Sequence, residues 1–393
     1  MPLSEPSAKI SEFVGLNNRA EPRAMRPGEL TVADNVDLDD RKKIRRRRGY
    51  SGALTLPNLT ALWATPDEER LFAVAAGSLY EIRGEYAAVE LAGGLSDQET
   101  YWDWDGERVF VSNTARDMVI HGETAYPLVV PRPMSGPSFA VVDGNLPAGR
   151  YLIAVLHEDI YGRQGGASPV AVVQLEDNQG LQIIPQAPVA GYETRFLATR
   201  ANGTELRRAY QGPAFTDLGQ LGAALEDAQY AGFDPVAGGP IAYHAGRLWK
   251  GLSQGTSGLV AASHPYWTHL FEYGRNDFML PGRITGLADV QRDHLLIGTS
   301  RGVWVNNLES GLTQLTDYGM PAGQAITRDR NGVVYFWTVR GICRALPFEN
   351  LSEQVLAAAP GERAAVGVVE DAGFARLLTL TRDDGGTPDN SAR

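Results

Sequence analysis

The sequence predicts an all-β protein: a β-propeller of about six blades, interrupted by an inserted β-sandwich and preceded by an extended N-terminal arm. Three observations carry this. A hairpin recurs, most plainly in Gln291-Arg-Asp-His-Leu-Leu-Ile-Gly-Thr-Ser-Arg-Gly-Val-Trp-Val-Asn306, which reads as a polar turn, a short apolar strand, a tight turn at Gly302 and a return strand. Such a hairpin buries one face only if another sheet covers it. The same unit lies at 67–74, 105–111, 244–249, 329–336 and 371–378.

Spacing is the second observation. With Arg70, Arg108, Arg247, His294, Val333 and Ala375 taken as equivalent, the steps are about 38, 139, 47, 39 and 42 residues. A period near ~40 with several short strands per unit is that of propeller blades. The long step equals one ordinary step plus ~100 residues, the size of a small domain. Any all-β chain offers hairpins at such intervals, so the regular period with one interruption is what points to a ring. Composition is the third observation. With 44 glycines and 23 prolines the chain has turn residues to spare. Hydrophobic residues at 43% and charged residues at 21% mark a folded chain.

Taken in order, residues 1–56 form the arm. Gly, Pro and Asn break any long helix there, in Phe13-Val-Gly-Leu-Asn-Asn-Arg19, Pro22, Pro27-Gly28 and Ala33-Asp-Asn-Val36. The arm ends in Arg41-Lys-Lys-Ile-Arg-Arg-Arg-Arg48, seven cations in eight residues. Such a run repels itself unless compensated, and Asp34, Asp37, Asp39 and Asp40 supply part of that. It reads as a solvated edge strand, as a contact for an acidic partner subunit or passing DNA phosphate, or as a nuclear address.

Residues 57–131 hold the first two units, with first strands at 59–64 and 99–103. Three prolines in Pro131-Arg-Pro-Met-Ser-Gly-Pro137 mark a boundary. Residues 132–238 then alternate apolar strands with Gly and Asn turns, as a small β-sandwich does. Its Gly149-Arg-Tyr151 strand and the following Tyr161-Gly162 and Ser168-Pro169 loop resemble a fibronectin type III module. A short helix or loop is expected at 223–231. From 239 to 381 the repeat resumes, each unit opening on a strand of small residues that suits the crowded inner edge of a blade. The last unit is cut short, and 382–393 is expected to be disordered. A bare sheet edge invites aggregation, so the missing strand is expected from the arm between Val32 and Leu56.

Chemistry-bearing patterns are sparse. Cys343 is the sole cysteine, which rules out an intrachain disulfide or cysteine metal cluster, and its apolar neighbours predict a buried strand position rather than a nucleophile. Among six histidines only His264 and His269 approach ligand spacing, one residue off a helical pair, with Pro265 and Trp267 between them favouring a loop. Trp102-Asp-Trp-Asp-Gly-Glu107 gathers carboxylates but lacks the spacing of a calcium loop, so a turn is expected. No nucleophile elbow, phosphate loop or dinucleotide fingerprint occurs. Plentiful carboxylates leave a glycosidase pair open. The aromatic run Pro265-Tyr-Trp-Thr-His-Leu-Phe-Glu-Tyr273 reads as packing between sheets or as a surface that stacks a sugar. No cofactor or metal is expected. A net charge of −11 and a pI near 5.1 repel nucleic acid as a whole, so any DNA contact is local or transient. No apolar leader or membrane-length stretch is present, so synthesis and folding in a cytoplasm are expected.

The arm motifs, with Arg46-Arg-Arg-Gly-Tyr50, resemble the opening of the tail nozzle (hub) proteins of short-tailed phages, the group of tail tubular protein B and packaged-DNA-stabilising proteins. His244-Ala-Gly-Arg-Leu-Trp249, Ala261-Ala-Ser263 and Leu296-Ile-Gly-Thr-Ser-Arg-Gly-Val-Trp304 are similar to that family's blade segments. The resemblance implies a non-enzymatic virion protein, made in the host bacterial cytoplasm. It implies a homo-oligomeric ring, typically a hexamer, below the portal and adaptor, touching distal tail or fibre proteins and transiently packaged double-stranded DNA. Membrane and small-molecule substrate have no part in it. The residues expected at a partner interface are Asn17, Asn18, Arg41, Lys42, Lys43, Arg45, Arg46, Arg47 and Arg48. The alternative is a carbohydrate-binding or carbohydrate-active propeller; a WD-repeat scaffold is disfavoured by the lack of a Trp-Asp pair ending each unit.

Overall fold

The structure, a computed structural model, describes residues 12–33, 36–38, 42–46, 51–185, 189–209, 212–272, 274, 277–291, 293–356, 361, 363–371, 374–382 and 388–389. Among them the only α-helix is the single turn Asp227–Ala231; nearly everything else that is regular is antiparallel strand. The chain divides into two compact units. One comprises Met1–Tyr101, Ser253–Gly258 and Leu280–Arg393, the other Trp102–Leu252 and Leu259–Met279.

The recurring hairpin is the middle of a four-stranded meander. The first meander runs through Leu59–Ala64, Leu71–Ala75, Ser78–Arg83 and Ala87–Gly93. The second is Thr100–Trp104, Arg108–Asn113, Asp117–His121 and Thr124–Pro127. The third is Ile241–His244, Arg247–Gln254, Ser257–His264 and Trp267–Glu272, with Gly232–Phe233 and Phe278–Pro281 added to its sheet. Ile284–Gln291, His294–Thr299, Val303–Asn307 and Gly311–Thr316 make the fourth. Ile326–Arg328, Val334–Thr338, Gly341–Arg344 and Glu349–Asn350 make the fifth. A sixth sheet has three strands, Arg363–Asp371, Phe374–Arg382 and Pro388–Asp389.

Second strands of the meanders are apolar without alternation, and burial explains why. Phe72, Ala73, Val74 and Ala75 are fully buried, as are Val109, Phe110 and Val111, and Leu295, Leu296 and Ile297. A strand covered on both faces has no side that profits from polar residues. Sheets four to six share one core: Leu296, Val303 and Val305 meet Phe336, Trp337 and Cys343, which meet Ala364 and Val366. Among the described residues the sixth sheet is covered on that face. Gly367 faces Leu378 and Ala365 faces Leu380 across the ladder, so these share the other side. There Leu378 and Leu380 stand 43% and 57% exposed.

Within the second unit, the second and third meanders touch directly despite the insertion between them in sequence. Asp103 Oδ2 accepts from Tyr243 N at 2.6 Å, and the Phe110 and Tyr243 rings stack at 6.0 Å. The insertion is a sandwich of two sheets. Ser138–Leu146, Gln179–Ile184 and Ala214–Phe215 face Ala171–Leu175, Gly149–Asp159, Tyr192–Ala198, Arg207–Ala209 and Leu221–Ala224. Tyr151 sits fully buried in its core, edge-on to Phe215, and its hydroxyl donates to Pro147 O at 2.9 Å. The exit from the sandwich comes earlier than the expected boundary at 238. Gly232–Phe233 already pair with Trp267–Glu272, as an edge strand of the third meander's sheet.

Two expectations are corrected. Among the described residues no arm strand pairs with the sixth sheet: Gly15–Leu16 pairs with Glu29–Leu30, and Val36–Leu38 with Ile44–Arg46. The third strand there comes from the tail itself, Pro388–Asp389 pairing with Arg382 and Thr381, in a stretch expected to be disordered throughout. A local hairpin return closes a shorter loop than the arm would, and so costs less entropy.

Candidate partner interface

The arm is fastened at its base. Phe13 N donates to Lys42 O and Val14 N to Gly28 O, each at 2.8 Å, and Asn17 N to Leu30 O at 2.7 Å. Gly28 explains the Pro-Gly pair in the sequence: at φ 94° a Cβ would lie 2.6 Å from Glu12 O. Asn17 is buried, and its Oδ1 caps a turn by accepting from Ala20 N at 3.1 Å. Asn18 N donates to Val355 O and Arg19 Nε to Leu356 O, both at 3.1 Å, seating the arm on the segment after the fifth meander. Glu29 accepts from Arg26 N at 2.8 Å, and that bond, with the Asn17 amide, holds its carboxyl below the usual range. Asn17 and Asn18, expected to face a partner, are therefore engaged within the chain.

Beyond this base the chain makes a two-stranded ribbon. The register sets Asp37 opposite Arg45 and Val36 opposite Arg46. Lys42 takes a left-handed φ of 57° in the turn. Lys42, Lys43, Ile44, Arg45 and Arg46 are all exposed, so the basic strand is uncovered on both faces. Arg41, Arg47 and Arg48 lie outside the described residues. A lone two-stranded ribbon is marginal in water. This one brings Lys42, Lys43, Arg45 and Arg46 close together.

The other polar groups singled out in sequence hold the fold together. The carboxylates at 103–107 diverge: Asp103 takes Tyr243 N, Asp105 takes Arg108, and Glu107 takes His121 at 2.8 Å. His264 and His269 do not converge on a common point; they flank the Trp267 ring at 5.2 and 6.3 Å. His269 Nε2 is within 3.2 Å of Gln164 O, and burial above all, with Arg163 nearby, pushes its pKa down to about 4. Cys343 is buried in the shared core, where desolvation pushes its thiol up to about 11. Among the described residues no group of three or more His, Cys, Asp or Glu could hold a metal ion. No helix there is long and apolar enough to cross a membrane.

Sequence reasoning missed two clamps. Lys250 is fully buried; its Nζ donates to Asp117 and, at 3.1 Å, to Ser112 Oγ, while Asp117 also accepts from Gly238 N at 3.0 Å. In Arg247-Leu-Trp-Lys-Gly251 nothing distinguishes Lys250 from a surface lysine except its place in an otherwise apolar run. The second clamp holds the insertion. Arg163 donates to Asp159 at 2.7 Å and to the carbonyls of Leu128 and Pro127 at 2.9 and 2.8 Å, with its guanidinium over the Tyr126 ring. Arg132 ties entry to exit, its N reaching Asp234 at 2.7 Å and its Nη1 reaching Gly232 O at 3.0 Å.

No protein-family model matches the chain, and no curated protein does. Similar solved structures include the Dos1 propeller, at 11% identity and TM-score 0.37 over 91% of this chain and 82% of that one. Hsv2 of Kluyveromyces lactis matches at 7% identity and TM-score 0.29, over 85% of this chain and 97% of that one. A luciferin-regenerating enzyme matches at 8% and 0.27, over 85% and 86%. At such scores neither blade number nor function passes from them to this chain.

Proposed function

We propose that this chain is a non-enzymatic structural subunit of a phage tail. Its meanders close into a β-propeller of about six blades, with an inserted sandwich of the fibronectin type III kind. Copies assemble as a ring, a hexamer, that extends the DNA channel below portal and adaptor and retains or conducts the genome. Support for closure comes from Arg363, at the start of the sixth sheet, whose Nε reaches Glu99 at 2.8 Å just after the first meander.

One observation carries the assembly reading: the exposed basic stretch Lys42–Arg46 sits on an arm that backbone bonds hold in place. An acidic chain that carries seven cations in eight residues at 41–48 suits docking onto an acidic neighbour. It also suits a conduit, because each neutralised phosphate adds salt-dependent affinity that would hold DNA back.

Negative-stain microscopy of the full chain and of an Arg45→Glu/Arg46→Glu variant tests this. The expected outcome is rings with a central hole for the wild type, and dispersed particles with an unchanged melting curve for the variant. Wild-type chain that stays monomeric, alone and with its adaptor ring, would falsify the ring. Equal assembly by the variant would remove the ribbon from the interface.

A further inference from the structure

Of the 36 lysines and arginines in the chain only four are lysine, and Lys9, Lys42 and Lys43 belong to the arm. Outside the arm every other position of this kind is arginine, and Lys250 stands alone. The difference matters chemically. A guanidinium keeps its proton, whereas an amine that gives its proton up is a nucleophile. Lys250 sits where that loss is favoured. Its side chain has no exposed surface, and burial pulls its pKa below the ordinary lysine value.

The groups around the amine are arranged for a transfer. Nζ meets Asp117 Oδ2 and also donates to Ser112 Oγ at 3.1 Å. The Ser112 hydroxyl in turn donates to Asp117 Oδ1 at 2.9 Å, so amine, hydroxyl and carboxyl close a ring of hydrogen bonds. Oδ1 takes a further bond from Gly238 N at 3.0 Å. That donor is pinned: at Gly238, φ 86°, a Cβ would lie 2.9 Å from Thr114 Cα, and just beyond it Gly251 N donates to Pro240 O at 2.8 Å. The Asp117 side chain is 6% exposed and Ser112 is fully buried, so bulk water competes little for any of these groups. An ion pair in such a place has lost its hydration, a loss that its neutral forms feel less.

We propose that Lys250 and Asp117 condense into an isopeptide bond, joining the third strand of the second meander to the second strand of the third. The ion pair is the reactant. Through the Ser112 hydroxyl the ammonium gives one proton to Oδ1, leaving a neutral amine and a neutral acid. The Nζ lone pair attacks Asp117 Cγ and the C–N bond forms. A second N–H proton follows the same path, the Cγ–Oδ1 bond breaks, and Oδ1 leaves as water. Two hydrogens of the ammonium depart with that water and the third stays on the amide, so the step needs no other reactant. Holding the two groups in contact replaces a bimolecular encounter, an advantage equivalent to effective molarities on the order of 10⁵ M or more. The neutral amide also escapes the desolvation that both ions bear. Because the joined residues lie 133 apart in sequence, on either side of the inserted sandwich, the bond encloses that sandwich in a covalent loop. Such a loop restricts the unfolded chain as a disulfide does, in a protein whose one cysteine cannot form one within the chain. The bond goes beyond the ring reading and stands whether or not the chain assembles.

Intact-mass measurement of the purified, denatured full chain tests it, followed by tryptic mapping. The wild type is expected to be one water lighter than its sequence requires, with removal of Met1 allowed for. Its digest is expected to hold a branched peptide containing both Asp117 and Lys250, uncut after Lys250. Lys250→Arg keeps the charge but cannot condense, and Lys250→Met with Asp117→Leu removes both groups; each is expected at its full sequence mass. Asp117→Asn is expected to lose ammonia in place of water. A wild-type chain at full sequence mass would overturn the proposal, and so would loss of water without that branched peptide or its persistence in Lys250→Arg. The first of these is read on the unaltered chain, so it holds even where a variant fails to fold. None of these outcomes alters ring formation, which is read separately by microscopy.

Discussion

Lys250 brings a charge to a place without solvent, and its neighbours decide whether that is tolerable. Burial pulls its pKa below the ordinary lysine value, while the Asp117 carboxylate opposes the shift. Removing one member of such a pair strands the other. Lys250→Ala is therefore expected to lower stability by about 3–5 kcal/mol, measured by urea unfolding. Lys250→Met with Asp117→Leu should recover much of that, because apolar replacement of both spares the desolvation of each. His269 makes a second test. Its folded pKa of about 4 lies below the usual histidine value of 6.5, so between those two the unfolded chain binds more protons. Stability then rises with pH across that window and falls as pH drops from 6.5 towards 4. On the order of 3 kcal/mol is at stake if the full shift is realised. A melting-temperature series against pH is expected to slope less in His269→Gln than in the wild type. Lys250 did not announce itself in the sequence, and His269 stood out only for its spacing from His264. A histidine or lysine in an apolar strand looks the same whether its partner is water or a carboxylate a hundred residues away.

At the scale of elements, what was legible depended on which forces were local. The hairpin repeat was readable because turn residues and uninterrupted apolar runs such as Leu295 to Ile297 are written in consecutive positions. The sandwich was readable from its alternation, and the step of about 139 residues located it. Its true exit was not, since Gly232–Phe233 joins the third meander through a pairing with residues nearly forty positions on. Asn17 and Asn18, expected at a partner interface, show a related limit. Asparagine serves turns and partners equally well, and only the fold shows that Asn17 caps its own turn. The insertion yields the third prediction. Because Arg132 N meets Asp234 at 2.7 Å, the two connections lie side by side. Replacing 134–231 by a short Gly-Ser linker is expected to leave a folded β chain. Circular dichroism and a cooperative, somewhat lower melting transition would show it; loss of cooperativity would mean that the Arg163 and His269 contacts are indispensable.

For the whole molecule, one expectation from the sequence is not met among the described residues. The arm had been the economical source of the sixth sheet's missing strand, yet the arm's strands pair with each other and the tail turns back on its own sheet. Pattern alone does not choose between a distant and a nearby strand of equal propensity; loop-closure entropy does. That tail contributes two paired residues against a nine-residue strand, Phe374–Arg382. Among the described residues that pairing covers only Thr381 and Arg382, and Leu378 and Leu380 stand exposed beside it. Stored as an isolated polypeptide, such a molecule clumps as it is concentrated, long before its interior loosens. Turbidity and heat-induced unfolding would then report on different ends of the same chain.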